Sequence, residues 1–248
     1  TDQFGFYNLD IRKVLEAVYV NYQGNKECED FIAMTIYLKR IWFSNGIYHH
    51  YGSEKFAPEF SPAFLLDAMK RIEPSLLPLA KGETVDGLFD RLKSAIFDPS
   101  FLPKKVNKAD GCDLVATSAC NFYHNVSQHE VEDYYSSLKA TVDKNPPSFG
   151  LNSRLVKQNG ELIEQVWKID GVYSKAIEII VSYLRQAAEY AENEQQQKII
   201  SLLISYYQTG DLRVFDKYSI EWLKEQDGRI DFINGFIEVY NDPLGLKA

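Results

Sequence analysis

Residues 173–208 read YSKAIEIIVSYLRQAAEYAENEQQQKIISLLISYYQ. In the first half of this stretch, apolar residues recur every three or four positions, as on one face of an amphipathic helix (Ile177, Ile180, Val181, Leu184 and Ala188). In the second half, apolar residues between positions 199 and 204 surround most of the helix axis, which predicts a buried helix. Only Asn193-Glu194 separates the two halves, and a link this short predicts an antiparallel helix pair.

The same periodicity predicts further helices outward from this pair. They span residues 11–22, 29–43, 63–71, 85–97, 127–142 and 211–228. Ser61-Pro62 forms an N-cap with proline at the first helical position, and Ser127 and Glu130 have the spacing of a capping box. Asn159-Gly160 lies between two short runs, 154–157 and 161–169, and predicts a β-hairpin.

These elements predict a mainly α chain of the α+β class. It consists of a helical lobe with a β-hairpin and a C-terminal strand, and residues 98–123 form a long irregular connection. We divide the chain into a helical region, 1–145, and a region with the hairpin, the helical pair and the terminal strand, 146–248. One continuous lobe is the alternative to this division.

The composition limits the classes of function. The chain has 248 residues, of which 45% are hydrophobic and 14% aromatic, as in a folded globular protein. A formal net charge of −8 without a basic block argues against nucleic-acid binding. No apolar run approaches the roughly 20 residues of a membrane span, so no membrane partner is expected. Residues 1–7 show no signal-peptide pattern, which favours the cytoplasm, with the periplasm as the alternative.

Two histidine motifs allow a functional and a structural interpretation. His129-Glu-Val-Glu-Asp133 is similar to a metalloprotease helix, but its fifth position is not histidine, and the capping box explains the spacing better. The adjacent His49 and His50 cannot easily bind one metal ion together. An aromatic loop packed on the core is favoured there, and a pH-sensitive or substrate-lining patch is the alternative.

The C-terminal run of β-branched and aromatic residues ends at the turn residues 241–245. In a strand, alternation places Glu238, Tyr240 and Asp242 on one face. A carboxylate and a phenol two positions apart can bind an amine and polarise a carbonyl group. A strand with one solvated face has the same pattern, so alternation alone leaves both interpretations open.

Residues 234–245, NGFIEVYNDPLG, resemble the GFIExYxDPxG signature of the dipeptidyl peptidase III family, which consists of zinc exopeptidases. Residues 41–51, IWFSNGIYHHY, resemble the WFSNGIHHHY stretch of the bacterial branch of that family. The segments 150–154 and 209–222 occur in the expected order, so the resemblance extends over essentially the whole chain.

The resemblance implies a two-lobed enzyme that removes dipeptides from the N-terminus of short peptides. Glu238 would bind the substrate ammonium group, and Tyr240 would act as a catalytic residue by donating a hydrogen bond to the scissile carbonyl group or its oxyanion. The zinc motifs of the family, HExxGH and EExRAD/E, do not occur in residues 1–248.

We therefore expect an N-terminal fragment that binds no metal itself, whose full-length parent holds zinc, and that is inactive alone. The alternatives are a non-catalytic helical peptide-binding module and a scaffold module in which Glu238 and Tyr240 are structural.

Overall fold

The computed structural model describes residues 6–142, 144–234 and 239–248. The elements in these ranges confirm a mainly α chain with a β-hairpin. In chain order they are α1 (Asn8–Asn21), α2 (Glu29–Ser44), α3 (Pro62–Lys70), a 3-10 helix (Pro74–Leu76), α4 (Val85–Phe97), β1 (Tyr123–His124), α5 (Gln128–Ala140), β2 (Ser153–Gln158), β3 (Glu161–Val166), α6 (Ser174–Glu189), α7 (Glu194–Thr209) and α8 (Leu212–Lys224).

The chain divides into two compact units, Thr1–Asn121 and Phe122–Ala248. The second unit contains α5, the sheet and the last three helices. The predicted division of the chain between residues 145 and 146 stays a prediction.

The first unit is built on α1 to α4, whose apolar faces share one core. Ile11, Leu15, Leu38 and Leu88 are fully buried in it. Each buried side chain of this size contributes about 1.5–3 kcal/mol relative to an exposed one. The predicted cap of α3 is confirmed, because Ser61 Oγ accepts a hydrogen bond of 3.1 Å from the next turn.

Arg91 connects two helices of the first unit. From α4, its Nη1 pairs with Asp10 of α1 at 2.7 Å, and its Nε and Nη2 donate to the two carboxylate oxygens of Glu83 at 2.8 and 3.0 Å. The hydrogen bond from Arg91 lowers the pKa of Glu83. The bidentate pair with Glu83 fixes the direction of the Arg91 guanidinium. The ion pair with Asp10 then links α4 to α1.

The sheet of the second unit has the order β1-β2-β3. β2 and β3 form the predicted antiparallel hairpin, in which Ser153 pairs with Val166. Asn159 and Gly160 have φ angles of 51° and 86°, the left-handed values that a tight hairpin turn requires. β1 pairs in parallel with β2 and lies partly within the region predicted to be irregular. Two residues are too few to produce a periodic pattern, which explains why this strand was missed.

The last three helices pack in sequence, α6 on α7 and α7 on α8. Ile199, Ile200 and Leu203 of α7 are buried, as predicted, because α7 has a neighbouring helix on each side. The predicted seam of α6 is only partly covered, with Val181 buried and Ile180 40% exposed. None of the helices in the described ranges combines the length and the apolar composition that a bilayer span requires.

Candidate functional site

Asp242 closes a turn at the end of the chain. This side chain is fully buried, and its Oδ2 accepts hydrogen bonds from the backbone N–H groups of Leu246 at 2.8 Å and Lys247 at 2.9 Å. Oδ1 accepts from the N–H of Leu244 at 3.1 Å, and the hydroxyl of Tyr123 donates to Oδ2 at 2.7 Å. A buried carboxylate needs such donors, and here they fold residues 242–247 into a fixed turn.

This turn changes the prediction for the terminal segment. The N–H of Asp242 donates to the carbonyl of Val239 at 3.0 Å, so the chain turns from Val239 onward. The described residues 229–234 and 239–242 contain no strand. Tyr240 is 62% exposed and Asp242 is 0% exposed, so the prediction of a common face for these two residues is wrong. Bonds from the aspartate side chain to nearby backbone groups replace a strand ladder at this point.

The structure describes one of the two predicted site residues. Tyr240 presents an exposed side chain directly before the turn that Asp242 closes. Glu238, which we predicted to bind substrate, lies outside the described residues. The catalytic role of Tyr240 and the binding role of Glu238 therefore both stay predictions.

Lys247 has a fully buried ammonium group in the interior of the second unit. Its Nζ donates to the hydroxyl of Tyr135 at 2.6 Å, to Ser153 Oγ at 3.2 Å and to the carbonyl of Gly150 at 3.2 Å. Nζ also lies 4.7 Å from the ring centre of Tyr135. These contacts replace the water that a buried cation loses.

Glu164 supplies the opposite charge in the same cluster. Its Oε1 accepts hydrogen bonds from the hydroxyl of Tyr135 at 2.7 Å and from Ser153 Oγ at 2.6 Å, so two hydroxyl groups separate the carboxylate from Lys247. Burial, followed by the charge of Glu164, raises the pKa of Tyr135. Serine beside lysine is an arrangement found in some hydrolases, but Ser153 is 1% exposed and its hydroxyl is engaged, so the cluster is structural.

A groove of about 550 Å³ lies beside the terminal turn in the second unit. Most of the described residues that line it are apolar or aromatic, among them Phe149, Phe215, Trp222, Leu223, Val239 and Leu246. Burial raises the pKa of Tyr218, another lining residue, to about 12. The volume is within the range of about 300–1,000 Å³ typical of sites for small ligands.

Both histidine motifs make contacts within their own helix or loop. Ser127 and Glu130 form the predicted capping box of α5, while His129 and Asp133 make an exposed pair at 3.4 Å. His49 is exposed, and its Nδ1 accepts backbone hydrogen bonds from residues 51 and 52 at 3.3 and 3.1 Å. His49 therefore stabilises its own loop, whereas the alternative role in lining a substrate site stays a hypothesis.

Within the described ranges, no three His, Cys, Asp or Glu side chains are grouped so that they could hold a metal ion. The described residues therefore do not fit the zinc site that the family resemblance implies for the parent protein.

Sequence patterns did not indicate the roles of several residues around the terminal turn. Lys247 carries a charge near the end of a polar segment, which normally indicates an exposed side chain. Its partners Tyr135 and Glu164 lie far away in sequence. Pairs of positions that vary together across many sequences would have indicated this contact.

Comparison with known proteins places the chain in a family. The model described as peptidase family M49 matches residues 116–248. The chain is similar to dipeptidyl peptidase 3 of Dictyostelium discoideum, with 21% identity over 98% of this chain and 35% of the relative. It is also similar to dipeptidyl peptidase 3 of Homo sapiens, with 22% identity over 89% of this chain and 33% of that protein.

Among solved structures, DPP III from Caldithrix abyssi aligns with a TM-score of 0.43 and 18% identity, over 95% of this chain and 37% of that chain. The chain thus spans about a third of the length of these two curated relatives. Since the family model covers more than half of the residues, this chain belongs to peptidase family M49.

Proposed function

We propose that this chain supplies peptide-binding residues to a zinc-dependent dipeptidyl peptidase. Membership of a peptidase family supports peptides as substrates, and the relatives named dipeptidyl peptidase 3 support the release of dipeptides. The zinc ion and its ligands would belong to a part of the protein outside residues 1–248.

The observation that carries this proposal is the exposed phenol of Tyr240 beside the fixed turn of Asp242. A hydrogen-bond donor stabilises a developing oxyanion most effectively when its support does not reorganise during the reaction. The buried carboxylate of Asp242 provides such a support two residues from Tyr240. Tyr240 donates to the scissile carbonyl oxygen in this proposal, and Glu238 pairs with the free ammonium group of the peptide.

The proposal assigns different kinetic effects to the two residues in the longer protein that contains this chain. Tyr240→Phe removes a donor that acts on the transition state, so kcat falls by about 10²–10³ and KM changes little. Glu238→Gln removes a charge that binds the substrate, so KM rises more than kcat falls. The measurement is steady-state hydrolysis of a chromogenic dipeptidyl amide. Tyr190→Phe is the matched control, because this tyrosine of the same unit is 83% exposed.

A kcat for Tyr240→Phe equal to that of Tyr190→Phe would remove the catalytic role. Residues 1–248 alone are expected to release no dipeptide, because the sequence lacks the HExxGH motif. Calorimetric titration of residues 1–248 with a short peptide tests recognition separately. Equal affinity of the wild type and Glu238→Gln would contradict the binding role of Glu238 and favour a scaffold.

A further inference from the structure

Asn234 places an unused hydrogen-bond donor at the apolar groove beside the terminal turn. The residue is 7% exposed and belongs to the groove lining. The hydroxyl of Tyr207 donates to its Oδ1 at 2.6 Å, and the tyrosine is itself buried. The Nδ2 of Asn234 is buried and has no hydrogen-bond partner among the described residues. Buried amide groups normally have partners, and a missing partner destabilises the fold.

Tyr207 determines which atom of the amide remains available. The hydroxyl of Tyr207 is the donor in its bond to Oδ1 of Asn234. An amide oxygen can accept this bond, whereas the amide NH₂ group cannot. The oxygen is therefore engaged, and the NH₂ group is what Asn234 offers to an acceptor.

The other residues of the groove indicate which kind of ligand would supply the hydrogen-bond acceptor. Phe149, Phe215 and Trp222 provide aromatic walls, and Leu223 and Ile233 are large apolar side chains with 67% and 83% exposure. A ligand that covers these surfaces removes apolar area from water, which favours binding. Lys139, Ser148, Tyr218 and Ser219 are the other polar residues in the described lining. The apolar walls together with the amide donor of Asn234 match a large apolar side chain that lies next to a carbonyl group.

We propose that this groove binds one large apolar residue of a peptide, with its carbonyl oxygen accepting a hydrogen bond from Nδ2 of Asn234. The identification of the ligand as a peptide rests on the proposed function. The groove and its unused donor do not depend on the roles of Tyr240 and Glu238.

The test uses N-acetyl-leucinamide, which has an apolar side chain and carbonyl groups but no ammonium group for Glu238. Calorimetry or two-dimensional NMR of residues 1–248 is expected to give saturable, millimolar binding, and N-acetyl-glycinamide is expected to bind at least about tenfold more weakly. Asn234→Asp keeps an acceptor for Tyr207 but removes the donor, so affinity for the leucine probe should fall about tenfold.

A second variant fills the groove without touching Asn234. Ser219 lines the groove and its hydroxyl bonds to the carbonyl of Phe215 at 3.0 Å within α8. Ser219→Leu is expected to abolish binding of the probe. Ser201→Leu is the control, because Ser201 makes the equivalent bond within α7 at 2.8 Å, is exposed, and does not line the groove.

Three results would overturn the assignment. They are the absence of saturable binding by N-acetyl-leucinamide, equal affinity in the wild type and Ser219→Leu, and equal affinity in the wild type and Asn234→Asp. Sedimentation experiments test the alternative that the groove binds a second copy of the chain. If the wild type self-associates and Ser219→Leu abolishes this self-association, the groove is assigned to a second copy instead. If the probe binds as expected while Tyr240→Phe retains full kcat, the groove assignment stands and the proposed catalytic role fails.

Discussion

Lys247 donates a hydrogen bond from Nζ to the hydroxyl of Tyr135 across 2.6 Å, although 112 positions separate them in the chain. The same hydroxyl donates to Glu164, so one phenol connects a buried cation to a carboxylate. The contact joins α5, β3 and the last residues of the described chain.

Tyr135→Phe is expected to destabilise the second unit. The substitution keeps the ring but removes the hydroxyl that Lys247 and Glu164 share, so both charged groups lose a partner. We expect the free energy of unfolding to fall by about 2–4 kcal/mol, measured by urea denaturation. The control is Tyr134→Phe on the same helix, with an expected change within about 0.5 kcal/mol. Equal effects of the two substitutions would show that the cluster does not stabilise the fold.

Asp242→Asn is expected to loosen the terminal turn. The Oδ2 atom of Asp242 accepts three of the hydrogen bonds that hold the turn, and an amide nitrogen in that place would face donors instead of accepting from them. We expect a loss of about 2–4 kcal/mol in unfolding free energy. Tyr123→Phe removes only one of these bonds and should cost about 1–2 kcal/mol. If Asp242→Asn proves no more costly than Tyr123→Phe, the turn is held by other contacts.

Acid should weaken the contact between Glu130 and Lys157. The hydrogen bond from Lys157, followed by the bond from the backbone of Ser127, lowers the pKa of Glu130 to about 2. Because the folded-state pKa lies below the unfolded one, the stabilisation is complete above about pH 4.5 and is lost as the pH falls towards 2.

Glu130→Gln should therefore reduce the change in the urea midpoint between pH 6 and pH 3. Glutamine still fits the capping box, so the helix start is preserved. Glu132→Gln on the same helix serves as the comparison, and we expect it to keep the pH dependence of the wild type. A midpoint for Glu130→Gln that shifts with pH as much as in the wild type would contradict the assignment.

Tyr37→Phe should leave the first unit as stable as before or make it more stable. The Tyr37 side chain is 1% exposed and its hydroxyl has no hydrogen-bond partner in the part of the chain that the structure describes, so its removal relieves a buried unsatisfied group. We expect a gain of zero to about 1 kcal/mol in thermal or urea unfolding.

Tyr48→Phe is the natural comparison for Tyr37→Phe. The hydroxyl of Tyr48 donates to the carbonyl of Leu102 at 2.9 Å, and its loss should cost about 1 kcal/mol. A larger loss for Tyr37→Phe than for Tyr48→Phe would mean that the Tyr37 hydroxyl has a stabilising partner.

The helices and the hairpin could be predicted because their signals are local. The Ser127–Glu130 capping box and the Asn159-Gly160 turn each depend on residues within a few positions, and both occur as predicted. The terminal segment was harder. Its β-branched residues favour a strand, but Asp242 draws the following backbone into a turn by bonds that alternation does not reveal.

The candidate site was only partly accessible from the sequence. Tyr240 could be selected on the family resemblance. The unused donor of Asn234 depends on the position of Tyr207, 27 residues earlier, and on which amide atom that tyrosine engages. The burial of Lys247 likewise depends on contacts with distant residues. Such information is in the packing and not in the spacing of residues.

The buried carboxylate of Asp242 changes how a sequence match to the motif GFIExYxDPxG should be interpreted. A match to GFIExYxDPxG tests for a backbone turn and for reactive side chains at the same time. A protein that had lost its chemistry but kept this turn would still match at the aspartate. The informative comparison between related sequences is therefore whether the positions of Glu238 and Tyr240 change independently of Asp242.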